Sequence, residues 1–204
     1  MTAWTPAALS PDLPPGVVVP SACDGIEVAI WRGRSGGVAA WVDRCPHRGM
    51  RLSHGFVRGD LLSCIYHGWR FDGGGRCRRI PAHRDLDPPD AIRATALSCA
   101  EAGGVVWIAR KAPAAPPPAL DGLRPLRSLT VEAGAEALAE AAEARLEGGT
   151  LRLPARGGAP AVTPLLQSTS GATVIHALAE PAPPAALVAA SRALEDLRRK
   201  VEAA

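Results

Sequence analysis

Two short segments constrain this chain more than anything else in it: Cys45-Pro46-His47-Arg48-Gly49 and Cys64-Ile65-Tyr66-His67-Gly68-Trp69, a C-x-H and a C-x-x-H motif with sixteen residues between His47 and Cys64. Each supplies one thiol and one imidazole. Two thiolates and two imidazoles on two loops can hold a [2Fe–2S] cluster, with the cysteines on one iron and the histidines on the other. A structural zinc ion is the alternative, because two Cys and two His also make a tetrahedral site. Zinc sites usually draw their ligands in like pairs, C-x-x-C with H-x-x-x-H, whereas here each loop gives one of each. A cluster clamped from two sides needs that mixture. Gly49 and Gly68, one residue past each histidine or the next, let the backbone come close to bridging sulfides and offer N–H groups to them.

The surrounding sequence reads as short β-strands divided by turn residues. Residues 16–19, 26–32 and 38–43 are split by Asp24-Gly25 and Gly33–Gly37, and residues 61–63, 69–71, 91–96 and 105–109 continue the pattern. The Gly73-Gly74-Gly75 triplet reads as a hairpin turn; with no helix or lysine behind it, it is no phosphate cradle. The expectation is a small antiparallel β domain with both motif loops at one end.

CPHRG followed by YHGWRF, with Gly75-Arg76-Cys77 and Ile80-Pro81-Ala82 behind them, resembles the Rieske domain of ring-hydroxylating and demethylating oxygenases. The opening Trp4, Leu9 and Leu13-Pro14-Pro15-Gly16 is similar to the vanillate demethylase-like branch. The resemblance covers about residues 1–112. It implies one Rieske-type [2Fe–2S] cluster per chain with Cys45, His47, Cys64 and His67 as ligands. It makes Arg48, Gly49 and Gly68 loop-shaping neighbours and Trp69 a packing partner beneath the cluster. Respiratory Rieske proteins carry an additional cysteine in each loop, joined as a disulfide; Pro46, Arg48, Ile65 and Tyr66 stand here without one.

Past the alanine- and proline-rich connector, read as residues 113–124, the pattern changes. Leu138, Ala141, Ala142 and Leu146 give helical spacing over residues 132–146, with Gly148-Gly149 as its stop. Strand-like runs follow at 151–153, 162–167 and 173–179, and a final helix over 184–201 aligns Leu187, Leu194, Leu197 and Val201 in one stripe. Residues 125–204 are therefore expected to form a smaller α+β domain used in assembly. Its order of elements resembles a truncated oxygenase catalytic domain. Catalysis in that family uses a mononuclear iron held by two histidines and a carboxylate. Beyond the connector the sequence offers one histidine, His176, expected to be a surface or satisfied core residue; His54 and His83 receive the same reading.

The resulting expectation is an electron-transfer Rieske subunit. It takes electrons from a reductase or ferredoxin and passes them to a mononuclear non-haem iron on a partner catalytic subunit, which would cover the stripe of the last helix. Its own enzymatic activity is left open, as an oxidoreductase component without the iron triad. A freestanding Rieske-type ferredoxin is the alternative, and a redox sensor a further one.

Composition excludes other classes. With 23 basic and 20 acidic residues in 204, and no nucleic-acid module around the basic ones, nucleic-acid binding is not expected. The start, Met-Thr-Ala-Trp-Thr-Pro, has neither a charged nor an apolar leader region, and no segment has the apolar length of a membrane span. Cys23, Cys77 and Cys99 show no pairing pattern and read as small core residues of a reducing compartment. A cytoplasmic location is the expectation.

Overall fold

The computed structural model describes residues 3–204. The chain divides into two compact units, one built mainly from Leu13–Glu101 and Ile108–Pro116, the other from Thr5–Asp12, Ala102–Trp107 and Pro117–Ala204.

In the first unit, β2 (Val18–Cys23), β3 (Ile26–Arg32) and β4 (Val38–Val42) form an antiparallel sheet in that order. Pro20 is accommodated because β2 is an edge, where a missing N–H costs no ladder bond. A second sheet runs β5 (Phe56–Arg58), β6 (Leu61–Ser63), β7 (Arg70–Asp72) and β8 (Cys77–Arg79). The glycine triplet lies between β7 and β8, the hairpin its sequence signals. Trp31 and Trp41 of the first sheet and Leu62, Phe71 and Cys77 of the second share one core with Leu52 and Ile80. Trp41 meets Trp31 at 5.2 Å and Phe71 at 6.1 Å, both edge-on, the arrangement the ring quadrupoles favour. β9 (Ser98–Ala102) and β10 (Val105–Ala109) are neighbouring strands, and Val105–Trp107 of β10 belong to the second unit. The expected strand at 91–96 is absent. Those residues make two isolated bridges, Arg76 with Arg93 and Trp41 with Ala96, because the Pro88-Pro89-Asp90 turn delivers the chain across both sheets and along neither.

In the second unit, β1 (Thr5–Leu9) lies beside β10, and β11 (Arg124–Val131), β13 (Thr173–Ala179) and β12 (Val162–Ser168) form a sheet with β13 in the centre. α1 (Ala135–Ala141) and α2 (Pro184–Glu202) pack on it. α1 stops well short of residue 146. Glu143 adopts φ +51°, and the Ala144 N–H reaches back to the Ala139 carbonyl, a helix end made without glycine. Gly148 and Gly149 serve a different purpose: both have positive φ and sit in a two-residue turn between Glu147 and Thr150, which bond each other in both directions. Ala190, Leu194 and Val201 of α2 join Leu138, Ile175 and Val131 in the unit's own core, with Leu187 and Leu197 packed against it. The stripe expected to meet a partner is thus already consumed within the chain. Among the described residues no helix is long and apolar enough to cross a membrane.

Candidate metal centre

The first motif lies on the connection from β4 to β5 and the second between the hairpin strands β6 and β7. The two loops share one hydrogen-bond pattern. The Cys45 N–H donates to the Met50 carbonyl at 2.8 Å and the Gly49 N–H to the Cys45 carbonyl at 2.9 Å; the Cys64 N–H donates to the Trp69 carbonyl at 2.9 Å and the Gly68 N–H to the Cys64 carbonyl at 3.0 Å. Gly49 at φ +73° and Gly68 at φ +70° make that turn possible, since a side chain there is strained. The two glycine N–H groups are therefore occupied in the turns. The amides turned toward a sulfur are those of His47 and Arg48, which hydrogen-bond Cys45.

The base of the first loop is clasped by Asp43, a residue the sequence reading did not single out. Its carboxylate is buried and accepts from the Ser53 N–H at 2.7 Å and from the Ser53 hydroxyl. A buried acid beside a serine ten positions on carries no sequence motif, so only the fold reveals it.

Cys45 and Cys64 are buried, 3% and 1% exposed, and their side chains lie within hydrogen-bonding reach of each other. Burial pushes the Cys45 thiol up to about 11; the His47 amide pulls it back down, the Cys64 sulfur adds to the rise, and the Arg48 amide opposes it. His47 is half-buried and His67 exposed, and their rings stand 4.6 Å apart edge to face. Trp69 lies parallel to His47, 5° between planes and 4.2 Å between centroids, while exposed Tyr66 covers His67 at 3.9 Å. Desolvation, then the neighbouring His67 and Arg48, lowers the His47 pKa.

This donor set fits a metal cluster. The His47 Nδ1 is buried with no hydrogen-bond partner among the described residues, an expensive state for an imidazole nitrogen unless it donates its lone pair elsewhere. Two sulfurs meet at the buried end and two imidazoles at the outer end. Among the described residues no three His, Cys, Asp or Glu groups converge on a single ion. Sulfurs paired at one end and imidazoles at the other suit two metal ions, the cysteines on one and the histidines on the other.

Of the other histidines, His54 and His83 are exposed in the first unit. His176 is 3% exposed on β13, its Nδ1 3.1 Å from Ser128 Oγ and its Nε2 3.1 Å from Gln167 Oε1. Cys23 and Cys77 are buried, and burial drives the half-buried Cys99 thiol up to about 12.

A small two-sheet β domain that brings one C-x-H and one C-x-x-H loop together, sulfurs inward and imidazoles outward, has the donor arrangement that an iron–sulfur cluster needs. Residues 3–95 match the Rieske [2Fe-2S] domain. Over 105 residues the chain is 47% identical to the oxidoreductase NdmD of Pseudomonas putida, a match covering 51% of this chain and 18% of that protein. It is 36% identical over 107 residues to the 3-chlorobenzoate-3,4-dioxygenase oxygenase subunit of Comamonas testosteroni, covering 52% of this chain and 25% of the relative. The matched stretch is thus a quarter or less of those relatives. The fold is shared more widely: the crystal structure of apo dicamba monooxygenase superposes with a TM-score of 0.72 at 23% identity, covering 98% of this chain and 85% of that one. The second unit therefore shares in the fold of that structure. The cofactor of the domain is a Rieske-type [2Fe–2S] cluster, and its role is electron transfer.

Proposed function

We propose that this chain is the electron-transfer component of an oxygenase system. In this reading Cys45, Cys64, His47 and His67 hold the cluster, Arg48, Gly49, Gly68 and Trp69 shape the two loops, residues 1–112 form the redox domain and residues 125–204 serve assembly. A reductase or ferredoxin is the electron source and a mononuclear non-haem iron on a partner catalytic subunit the destination. One observation carries the proposal: the donors run from buried sulfurs to an exposed imidazole, in a chain whose fold follows Rieske oxygenases along nearly its whole length.

The cluster, when bound, supplies a one-electron centre whose potential neutral imidazoles raise above that of all-thiolate clusters. The protein does the rest. Its core excludes water from the sulfurs, the His47 and Arg48 amides stabilise negative charge on Cys45, and the exposed His67 ring brings the outer end of the site to within reach of another protein's surface.

The test is iron and acid-labile sulfide per chain on anaerobically purified protein, beside the spectrum of the dithionite-reduced form. About two irons with two sulfides and a reduced Rieske signal are expected. His67→Ala abolishes both, whereas His176→Ala leaves them unchanged. A further iron independent of sulfide, lost in His176→Ala, overturns the assignment of the oxygen chemistry to a partner.

A further inference from the structure

The second unit holds a cavity of about 690 Å³ that electron transfer leaves unused. Its floor is one face of a short antiparallel ladder. The Leu151 N–H donates to the Pro164 carbonyl, and Leu153 and Val162 bond each other in both directions, so Arg152 stands opposite Thr163. Thr163 in turn is opposite Leu178 on β13, and the Glu180 N–H carries that pairing on to the Ala161 carbonyl. Leu151, Val162, Leu166 and Ala179 belong to the unit's core. By the two-residue alternation of extended chain, Thr150, Arg152, Thr163, Leu165 and Glu180 therefore share the opposite face. All five line the cavity. Leu120, Asp121 and Leu123, just ahead of β11, and Glu143, just past α1, supply its other walls.

Two opposite charges on that floor are held apart. Arg152 and Glu180 lie two strands from each other, about 10–12 Å between Cα positions at ordinary strand spacing and rise, with Thr163 between them. Among the described residues neither has an ion-pair partner. A guanidinium takes a carboxylate through paired N–H donors, and a carboxylate takes an ammonium. Separated in this way beside buried Leu165 and half-buried Leu120 and Leu123, they complement a molecule with an acid at one end, an amine at the other and an aliphatic stem between. The volume is that of a small-molecule site. The remaining charge sets the sign of the ligand. Arg145 is spent on Glu147 at 3.0 Å, while Asp121 and Glu143 have no ion-pair partner among the described residues, so the walls favour a second positive charge. We propose that this cavity binds a basic amino acid, with its carboxylate on Arg152, its side-chain ammonium on Glu180, its α-ammonium toward Asp121 and Glu143, and its methylene stem over Leu165. The inference stands on the second unit alone and does not depend on the electron-transfer reading.

The experiment titrates L-lysine into the holoprotein by isothermal calorimetry at low ionic strength, beside three molecules that each lack one of its groups. Cadaverine has no carboxylate, norleucine no side-chain ammonium and 6-aminohexanoate no α-ammonium. Both charged floor residues are exposed, which limits the strength of their contacts, so L-lysine is expected to bind with a Kd on the order of 0.1–1 mM. Each truncated molecule binds about tenfold more weakly, the equivalent of one lost charge-assisted contact. Arg152→Gln lowers the affinity for L-lysine about tenfold and leaves that for cadaverine unchanged. Glu180→Gln weakens L-lysine and cadaverine and leaves norleucine unchanged. Arg192→Gln, on α2 and outside the cavity lining, alters none of the four. Absence of L-lysine binding up to about 10 mM overturns the site. So does cadaverine binding as tightly as L-lysine, or an L-lysine affinity that survives Arg152→Gln, because either result reduces the cavity to an acidic surface that gathers any cation.

Discussion

The sharpest quantitative consequence lies in the second unit, away from the metal loops. His176 faces Ser128 across the β11–β13 ladder and reaches Gln167 diagonally on β12, so its ring ties the three strands of the sheet together. Ser128 in turn donates to Asp12 Oδ2 at 2.7 Å. Burial pushes the His176 pKa from the ordinary 6.5 down to about 4, with the Asp12 carboxylate pulling weakly the other way. The folded state therefore binds the proton less well than the unfolded chain. That contribution to stability is fully present above pH 6.5 and is lost as the pH falls from there toward 4. Linkage puts the loss between pH 7.5 and 4.5 at roughly 2.5 kcal/mol, nearly two powers of ten in an opening equilibrium.

Hydrogen exchange on peptides spanning residues 162–179, corrected for the intrinsic pH dependence of exchange, reads this opening without requiring both units to unfold together. His176→Gln cannot titrate, so its protection starts lower but falls less steeply. The difference between the two slopes isolates the imidazole from the many carboxylates that titrate in the same range. Parallel curves for the wild type and His176→Gln would show that His176 is either accessible to protons in the folded sheet or protonated throughout, and the argument from burial would fail.

Other substitutions test the loops and the cores. Gly68→Ala places a side chain at φ +70° and a Cβ 3.0 Å from Pro81 Cγ, so a cost of about 1–3 kcal/mol and a lower iron and sulfide content per chain are expected, read by thermal unfolding and metal analysis. Trp69→Leu removes the parallel ring from His47, a loss of about 0.5–1.5 kcal/mol of aromatic contact; iron stays bound, while the reduced-state spectrum and reduction potential shift and Trp69→Phe restores them in part. Leu138→Ala, at a fully buried site in the second core, should cost about 2–5 kcal/mol by urea unfolding and leave the iron content unchanged.

The metal loops were readable from sequence because their chemistry is local: cysteine, histidine and glycine at fixed spacing state both the ligand and the turn. Strands β3, β10 and β13 were readable with their ends, since valine and isoleucine runs there stop at glycine, proline or charge. β1 and β11 were not. Thr-Pro-Ala-Ala-Leu carries almost no β preference and Arg124-Pro125 hides the alternation behind it; both become strands because partners elsewhere in the chain offer them an edge. The early end of α1 was hidden for a similar reason. A left-handed Glu143 gives no sequence signal, and the glycines that looked like a helix stop belong to a later turn. The Asp43–Ser53 clasp and the orphaned His47 Nδ1 are purely tertiary facts.

The difference between C-x-H and C-x-x-H gains its meaning from the structure. The two turns bond identically, from cysteine to the fourth and fifth residues beyond it, so the extra residue in the second loop cannot be absorbed by a longer turn. It moves the histidine one position round the same turn instead. His47 then falls where Trp69 can lie flat against it, half-buried and fixed, while His67 falls on the outer side under an exposed Tyr66. One imidazole is held and the other presented. Inserting a residue between Pro46 and His47 would make the spacings equal while leaving all four donors in the chain. It should strip His47 from Trp69 and expose both rings. If such a variant kept the wild-type reduced spectrum and potential, the asymmetry of the two loops would be an accident of sequence with no part in setting the electronic character of the site.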